Sequence, residues 1–527
     1  MTNKLYLKQN VVIEPLINQW YAWSNLLSPA PAAMFIANHH LKLMQSFVNS
    51  PQVHVNALKN PAMLGGPFIR YEANRSGDIR ALMEKTAREQ AHMLELAAAI
   101  QAVHEILLGE ADGCSLESMY LTLPHLLKGY VELVYDLNNY PAVRFIEGLL
   151  YKSRYYNLSS QSIGLSLLFK DERPFTLSSP KLEDDTWLNV KIPFRSEAID
   201  ELARMKDVPQ PIEYIKEALR LDKQNGLFAS LFTTVAPPPR DSYTGDAVRI
   251  RYFGHACLLV QTKHVSILSD PVVSYGYSTD FYRYTYADLP ERIDYVLLTH
   301  NHQDHCMFET LLQLRHKIKT VVVPKNNGGS LADVSMKLAL QQLGFRDVRE
   351  IDEMEEIEVP NGKIVGLPFL GEHGDLNIRS KTAYFLQLQG KSVVCAADSN
   401  NIDPELYDHI HDAIGDLDVL FLGMECDGAP LSWLYGPLLT KPVTRKMDQS
   451  RRFSGSDCGR ALGIVEKLTP AQVYVYAMGQ EPWLTYLTSI QYTDTSRPIV
   501  ESNHLVASCV NHGLVSERLY GHKELFL

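Results

Sequence analysis

Cysteine is scarce in this chain, with seven in 527 residues: Cys114, Cys257, Cys306, Cys395, Cys426, Cys458 and Cys509. They are scattered and odd in number, which argues against a disulfide framework and for reduced thiols in a cytoplasm. No run of about 18 apolar residues is present, so no membrane span is expected. Residues 1–9 are polar and lead into no small-residue cleavage site, so a secretory signal is not expected either. Positive charge is in deficit, 50 Lys and Arg against 61 Asp and Glu, for a net charge of −11. Such a surface gains nothing from counterion release, and no nucleic-acid partner is expected. A G-x-G-x-x-G fingerprint between a strand and a helix is also missing, so no flavin or nicotinamide bound in that way is expected.

What remains is an ordinary globular composition, 46% hydrophobic and 21% charged, in a chain too long for one core. Two domains are the natural division. Residues 1–235 read as a mixed α+β domain. Within it, Gln19-Trp20-Tyr21-Ala22-Trp23 is an aromatic cluster suited to core or interface packing. The spacing of Leu82, Met93, Leu96, Ile100, Val103 and Leu107 predicts one helix over 76–109, stopped at Gly109. His92 and His104 lie on that helix and read as structural or solvated. Strands are expected over 162–169 and 186–193, and helices over 195–205 and 211–221. The domain shows no catalytic motif. Ala236-Pro237-Pro238-Pro239-Arg240 opens a linker over 236–247, because consecutive prolines stay extended.

Residues 248–527 carry the chemistry. Strand-like segments at 248–260, 265–268, 319–323, 363–367, 383–388, 392–397, 419–423 and 472–476 alternate with helical ones, including 455–467. The strand-like residues 294–298 run into Thr299-His300-Asn301-His302-Gln303-Asp304-His305. Imidazole and carboxylate are good ligands for divalent metals. His300 and His302 alternate by two, so an extended backbone sends both rings to one side. Asp304 and His305 follow as the chain turns and can aim at a neighbouring point. The arrangement suits two adjacent metals. Asp270, in Ser269-Asp270-Pro271, is a candidate to orient a ligand histidine, or else a turn residue. His255 reads as an orienting residue rather than a ligand.

The H-x-H-x-D-H motif resembles that of the metallo-β-lactamase superfamily, over about half the chain from near Val248 onward. The resemblance implies an α/β fold, a four-layer αββα sandwich, preceded here by the mixed α+β N-terminal domain. It also implies a bridging aspartate, matched by Asp398, and a further histidine near Gly371-Glu372-His373-Gly374-Asp375, where either Glu372 or His373 could bind. Where a zinc hydrolase has its last histidine the chain reads Ala477-Met478-Gly479-Gln480, and His504 and His512 are poor substitutes. More carboxylate and open coordination positions suit iron that must meet O2 better than zinc.

Taken whole, the chain resembles the di-iron β-hydroxylases of nonribosomal peptide pathways, a family typified in chloramphenicol biosynthesis. Gly371-Glu372-His373-Gly374-Asp375 and the stretch Met424-Glu425-Cys426-Asp427-Gly428-Ala429-Pro430-Leu431-Ser432-Trp433-Leu434-Tyr435-Gly436-Pro437 carry the likeness. It implies an O2-dependent monooxygenase with two Fe ions that hydroxylates the β-carbon of an amino acid tethered as a thioester to a carrier domain. It further implies an external reductant, a homodimer, and an N-terminal domain that serves dimerisation and substrate access. By matching position, His300, His302 and Glu372 would take one iron, Asp304 and His305 the other, and Asp398 would bridge them. Glu372 and Asp398 are thus the expected catalytic carboxylates. Glu425 and Asp427 are expected to meet the substrate amino group, and Trp433 and Tyr435 to wall its side chain. Lys441, Arg445, Lys446, Arg451 and Arg452 form a basic rim suited to docking an acidic carrier. The alternative is a zinc-dependent hydrolase of the same fold, acting on a lactone, thioester or phosphoester.

Overall fold

The structure, a computed structural model, describes residues 4–221 and 226–527. The C-terminal domain is built on two seven-stranded sheets. The first runs Val348–Ile351, Ile318–Pro324, Ile293–Leu297, Ser266–Ser269, Leu258–Gln261, Arg249–Tyr252, Lys523–Phe526. The second runs Glu356–Val359, Gly362–Leu367, Ala383–Leu388, Lys391–Cys395, Val419–Gly423, Gln472–Tyr476, Val515–Arg518. In each sheet an antiparallel meander gives way to parallel strands. Parallel neighbours need crossovers, and helices Phe308–Leu314, Met336–Gln342, Glu405–Ile414, Cys458–Leu468 and Arg497–Asn511 lie in five of the six, the connection from Ser266–Ser269 to Ile293–Leu297 being a long loop. Lys523–Phe526 pairs with Arg249–Tyr252, so the last strand of the chain closes against the first strand of this domain.

Alternating side chains build the layers. Ile250, Val260, Ile267 and Leu297 face Leu386, Val393, Phe421 and Tyr474 between the sheets. Leu420 and Leu422 of the second sheet turn outward onto Ile410, Ile464 and Leu505 of its helices. Leu259, Leu268, Val296 and Val321 of the first sheet turn onto Leu311 and Leu340, and this apolar layer runs unbroken into the N-terminal domain. The result is the αββα sandwich, with its first helical layer shared between the domains.

The N-terminal domain centres on a four-stranded sheet, Trp20–Tyr21, Val11–Ile17, Gln161–Leu167, Trp187–Lys191, with helices packed around it. Two expectations change here. The single helix over 76–109 is two, Ser76–Glu89 and Ala91–Glu110, broken at Gln90, whose Nε2 donates to Asn18 Oδ1 at 3.1 Å. No proline or glycine marks the break, and Gly109 does not end the second helix. By length and composition alone Ala91–Glu110 is long and apolar enough to cross a membrane. In the fold its Met93, Leu96, Ile100, Val103 and Leu107 are buried in the N-terminal core. Trp20, Tyr21 and Trp23 are also core, with Trp20 stacked on His40 at 3.9 Å between centroids. They therefore form no exposed dimer surface. Between Phe232–Thr233 and Arg249–Tyr252, where the three prolines fall, no helix or strand forms. All seven cysteines are free thiols.

Candidate metal centre

Strand Ile293–Leu297 delivers the motif to the edge of the inter-sheet layer, and Asp270, at the end of Ser266–Ser269, receives it. Asp270 is fully buried. Its carboxylate accepts the Thr299 N–H at 2.8 Å and the Thr299 hydroxyl at 2.6 Å. His305 Nδ1 lies 2.8 Å from Asp270 Oδ2. A carboxylate can only accept, so His305 directs an Nδ1–H to Asp270, which leaves Nε2 as the nitrogen that binds a metal once the ring is neutral. Thr299 donates its hydroxyl proton to Asp270, so its oxygen accepts from His300 Nδ1 at 3.0 Å. His300 is thereby held in the same tautomer. The two Nε2 atoms face Asp398 Oδ2, at 3.5 Å from His300 and 3.1 Å from His305.

Neither nitrogen has a hydrogen-bond partner among the described residues, although both are buried. A buried orphan of this kind costs about 1–3 kcal/mol unless something else satisfies it. Ring nitrogens and a carboxylate converging without hydrogen-bond alignment fit a shared cation. Burial and the neighbouring imidazoles push His300 well below the usual histidine range, toward the neutral form a metal requires. Burial also pushes His305 down, but Asp398 and Asp270 outweigh it and hold the metal-free ring well above that range.

On one side of Asp398, His302 Nδ1 lies 3.0 Å from Glu372 Oε1. His300, His302 and Glu372 present ligand atoms within 4.8 Å of one another, as do His300, His305 and Asp398. Burial raises the Glu372 carboxyl above its ordinary value, against the pull of His302. His373 belongs to neither group. Its Nδ1 lies 2.8 Å from the Tyr435 hydroxyl and 3.1 Å from His302 Nε2. His302 Nε2 is 3.3 Å from the same hydroxyl. The geometry thus groups Glu372 with His300 and His302, and sets His373 and the Tyr435 hydroxyl against the other ring nitrogen of His302.

On the other side, His255, Asp304 and His305 also converge within 4.8 Å. The ring of His255 also meets the backbone. Its Nδ1 accepts the Gly479 N–H at 3.1 Å, so the neutral ring carries its proton on Nε2. That nitrogen faces Asp304 Oδ2 at 3.2 Å and orients the carboxylate. His255 thus occupies the corner beside Ala477-Met478-Gly479, where the sequence shows no histidine. His504 and His512 are exposed on and after helix Arg497–Asn511.

The backbone around these groups is strained. His255, Asp270, Glu372, His373, Ala397 and Ala477 all have φ between 33° and 55°. Such residues cost about 1–3 kcal/mol each and persist only where surroundings impose them. At Gly371, φ 88°, any side chain would be strained, and its Cβ would meet Asn400 Cβ at 2.6 Å.

The centre opens into a cavity of about 700 Å³. His302, Asp304, Glu372 and Asp398 form its floor, residues 62–68 and Leu177 of the N-terminal domain its roof, and Trp433, Leu434, Phe453 and Ile490 its apolar walls. Glu425 and Asp427 line it. The Tyr492 hydroxyl donates to Glu425 Oε1 at 3.1 Å. Burial, reinforced by Glu372, Asp398 and Asp427, pushes the Glu425 carboxyl up to about 8. Trp433 stays on the wall, and its Nε1 donates to Gly65 O at 2.9 Å. Tyr435, expected on that wall, turns instead to His302 and His373, because its hydroxyl is committed there. Arg451 Nε donates to Gly374 O at 2.7 Å and Arg452 lines the cavity, whereas Lys441, Arg445 and Lys446 are exposed.

Two family models match the chain, described as the diiron non-heme beta-hydroxylase N-terminal domain over residues 6–237 and the beta-lactamase superfamily domain over 266–433. The 4-amino-L-phenylalanyl-[CmlP-peptidyl-carrier-protein] 3-hydroxylase of Streptomyces venezuelae is 40% identical over 99% of both chains. The chain belongs to the diiron non-heme β-hydroxylase family. The crystal structure of CmlA, a diiron β-hydroxylase from Streptomyces venezuelae, superposes over 100% of both chains with a TM-score of 0.94 at 39% identity. A shorter protein of Pyrococcus abyssi is 32% identical over 24% of this chain and 50% of its own. Membership of the diiron family makes the protein an oxidoreductase and sets aside the zinc-hydrolase alternative.

Proposed function

We propose that this protein hydroxylates the β-carbon of an amino acid presented as a thioester on a carrier domain. The observation that carries the proposal is the end-to-end likeness to a hydroxylase whose own substrate is an aminoacyl carrier protein. His300, His302 and Glu372 would hold one iron, Asp304 and His305 the other, and Asp398 would bridge. When bound, the iron pair supplies reductive activation of O2, with two electrons from an external donor, one oxygen atom entering the C–H bond and the other leaving as water.

The chain's own residues do the rest. Asp270 and Thr299 hold His300 and His305 with bare Nε2 atoms. His255 steadies Asp304, and Tyr435 with His373 steadies His302. Glu425 and Asp427 accept hydrogen bonds from the substrate amino group, whose positive charge would draw the raised Glu425 carboxyl back toward ionisation. Trp433, Leu434, Phe453 and Ile490 enclose an apolar side chain and exclude water. The roof at 62–68 supports a role for the N-terminal domain in substrate access. The free thiols support a reducing, cytoplasmic setting. The homodimer rests on family likeness alone.

The test is to load carrier domains with a panel of aromatic and branched aliphatic amino acids, add reductant and O2, and weigh the products. One added oxygen at the β-carbon is the expected result. Hydrolysis of the thioester without oxygen incorporation would overturn the proposal.

A further inference from the structure

Two residues of the metal loop bind nothing in the centre. In His300-Asn301-His302-Gln303-Asp304-His305, Asn301 and Gln303 alternate with the donors. Both are buried, each 7% exposed. The Ser24 hydroxyl donates to Asn301 Oδ1, and Asn301 Nδ2 donates to Asn25 Oδ1 at 3.3 Å. The Thr176 hydroxyl donates to Gln303 Oε1 at 3.1 Å. Ser24, Asn25 and Thr176 all belong to the N-terminal domain, and all are buried. Helix Phe308–Leu314, which leaves the loop, is gripped from the same domain. Arg173 donates to both Glu309 oxygens, at 2.9 and 2.8 Å, and Lys206 Nζ donates to Gln313 Oε1 at 2.9 Å.

We infer that Ser24, Asn25 and Thr176 are positioning residues for the metal loop, acting through Asn301 and Gln303. The inference rests on the reading of this loop as metal-binding. Asn301 is flanked by two donors and Gln303 precedes Asp304. Fixing both amides fixes the backbone that aims His300, His302 and Asp304. The N-terminal domain is then part of the metal-binding apparatus as well as a roof. Partners one step removed from a ligand typically change metal affinity 10- to 100-fold when lost.

The test uses the full-length protein with Ser24→Ala and Thr176→Ala combined, which removes two hydroxyls from the other domain and alters no loop residue. Apparent Fe(II) affinity is expected to fall about 10- to 100-fold. The near-ultraviolet absorption of the iron-saturated centre is expected to shift, a change that loss of stability alone would not produce. Ser24→Thr with Thr176→Ser keeps both hydroxyls and should restore the parent spectrum. Asn301→Ala should give at least the shift of Ser24→Ala alone, since it also loses the Asn25 contact, and adding Ser24→Ala to Asn301→Ala should change little further, because the one contact Ser24→Ala breaks is already gone. Parent affinity and spectrum in the Ser24→Ala, Thr176→Ala protein would overturn the inference. A parallel Zn(II) titration separates it from the di-iron proposal. A parent that takes zinc and refuses iron overturns the latter, while loosened or unchanged zinc binding in the variant supports or overturns the coupling.

Discussion

Glu372 and His373 are adjacent, buried and both at positive φ, yet they touch different groups, and the proposed ligand set gives them different work. Glu372→Gln keeps the shape and the backbone demand of the position and removes only the charge. The metal grouped with His300 and His302 then loses its anionic donor. Iron content is expected to fall from about two to about one per chain, and hydroxylation to fall below detection. His373→Ala removes no ligand. It strips the Tyr435 hydroxyl of its 2.8 Å partner and His302 Nε2 of its 3.1 Å neighbour. An unpartnered buried polar group costs about 1–3 kcal/mol. Transmitted to His302, this loosens iron by roughly 10- to 100-fold, or about 1.4–2.7 kcal/mol, with two irons still bound at saturation. Metal analysis after exhaustive dialysis, with an Fe(II) titration of each variant, reads both effects. An empty site in His373→Ala beside full occupancy in Glu372→Gln would refute the assignment.

Three other outcomes follow from the geometry. Asp270→Asn can present an N–H to His305 Nδ1, which moves the ring proton to Nε2 and blocks the lone pair; iron affinity is expected to drop about 10- to 100-fold, and an Fe(II) titration matching the parent would count against the tautomer argument. Charge reversal at Lys441, Arg445 and Lys446 should slow turnover of carrier-bound substrate and flatten its salt dependence without changing iron content, because these three are exposed while Arg451 is tied to Gly374; turnover measured across ionic strengths decides. Burial raises the Glu147 carboxyl from 4.5 to about 7, against the Ser335 N–H it accepts at 3.0 Å. The folded state therefore favours the protonated form. That stability is complete below about pH 4.5 and is lost as pH rises through about 7, by up to roughly 3 kcal/mol. Glu147→Gln should flatten this part of the curve in denaturant titrations of the metal-free protein.

The strands of the sandwich were legible as short apolar runs rich in β-branched residues, buried on both faces because each sheet is covered on one side by its partner sheet and on the other by helices; their αββα arrangement came from the likeness of the H-x-H-x-D-H motif. The break at Gln90 was not legible. Arg88-Glu89-Gln90-Ala91 contains only residues that tolerate a helix, and the turn is bought by a contact to Asn18 that lies 72 positions away. The aromatic cluster at residues 20–23 could have faced solvent or core, and only its packing on His40 decides between them.

The centre divides in the same way. Donors that lie close in sequence, His300, His302, Asp304 and His305, announce themselves through spacing. Orienting residues do not, because their role depends on which ring nitrogen they touch. Tyr435 looked like a wall residue as one more aromatic in a loop, yet its hydroxyl is held between His302 and His373. His255 stands beside Asp304 and His305, and the Gly479 N–H against its Nδ1 is a contact that no spacing announces. Asn301 and Gln303 occupy the variable positions of the motif, which a donor search passes over. They are nevertheless where the N-terminal domain takes hold. A motif specifies which atoms can bind metal, and the residues between its donors specify what the motif is fastened to. In this chain that second specification names a domain with no catalytic motif of its own.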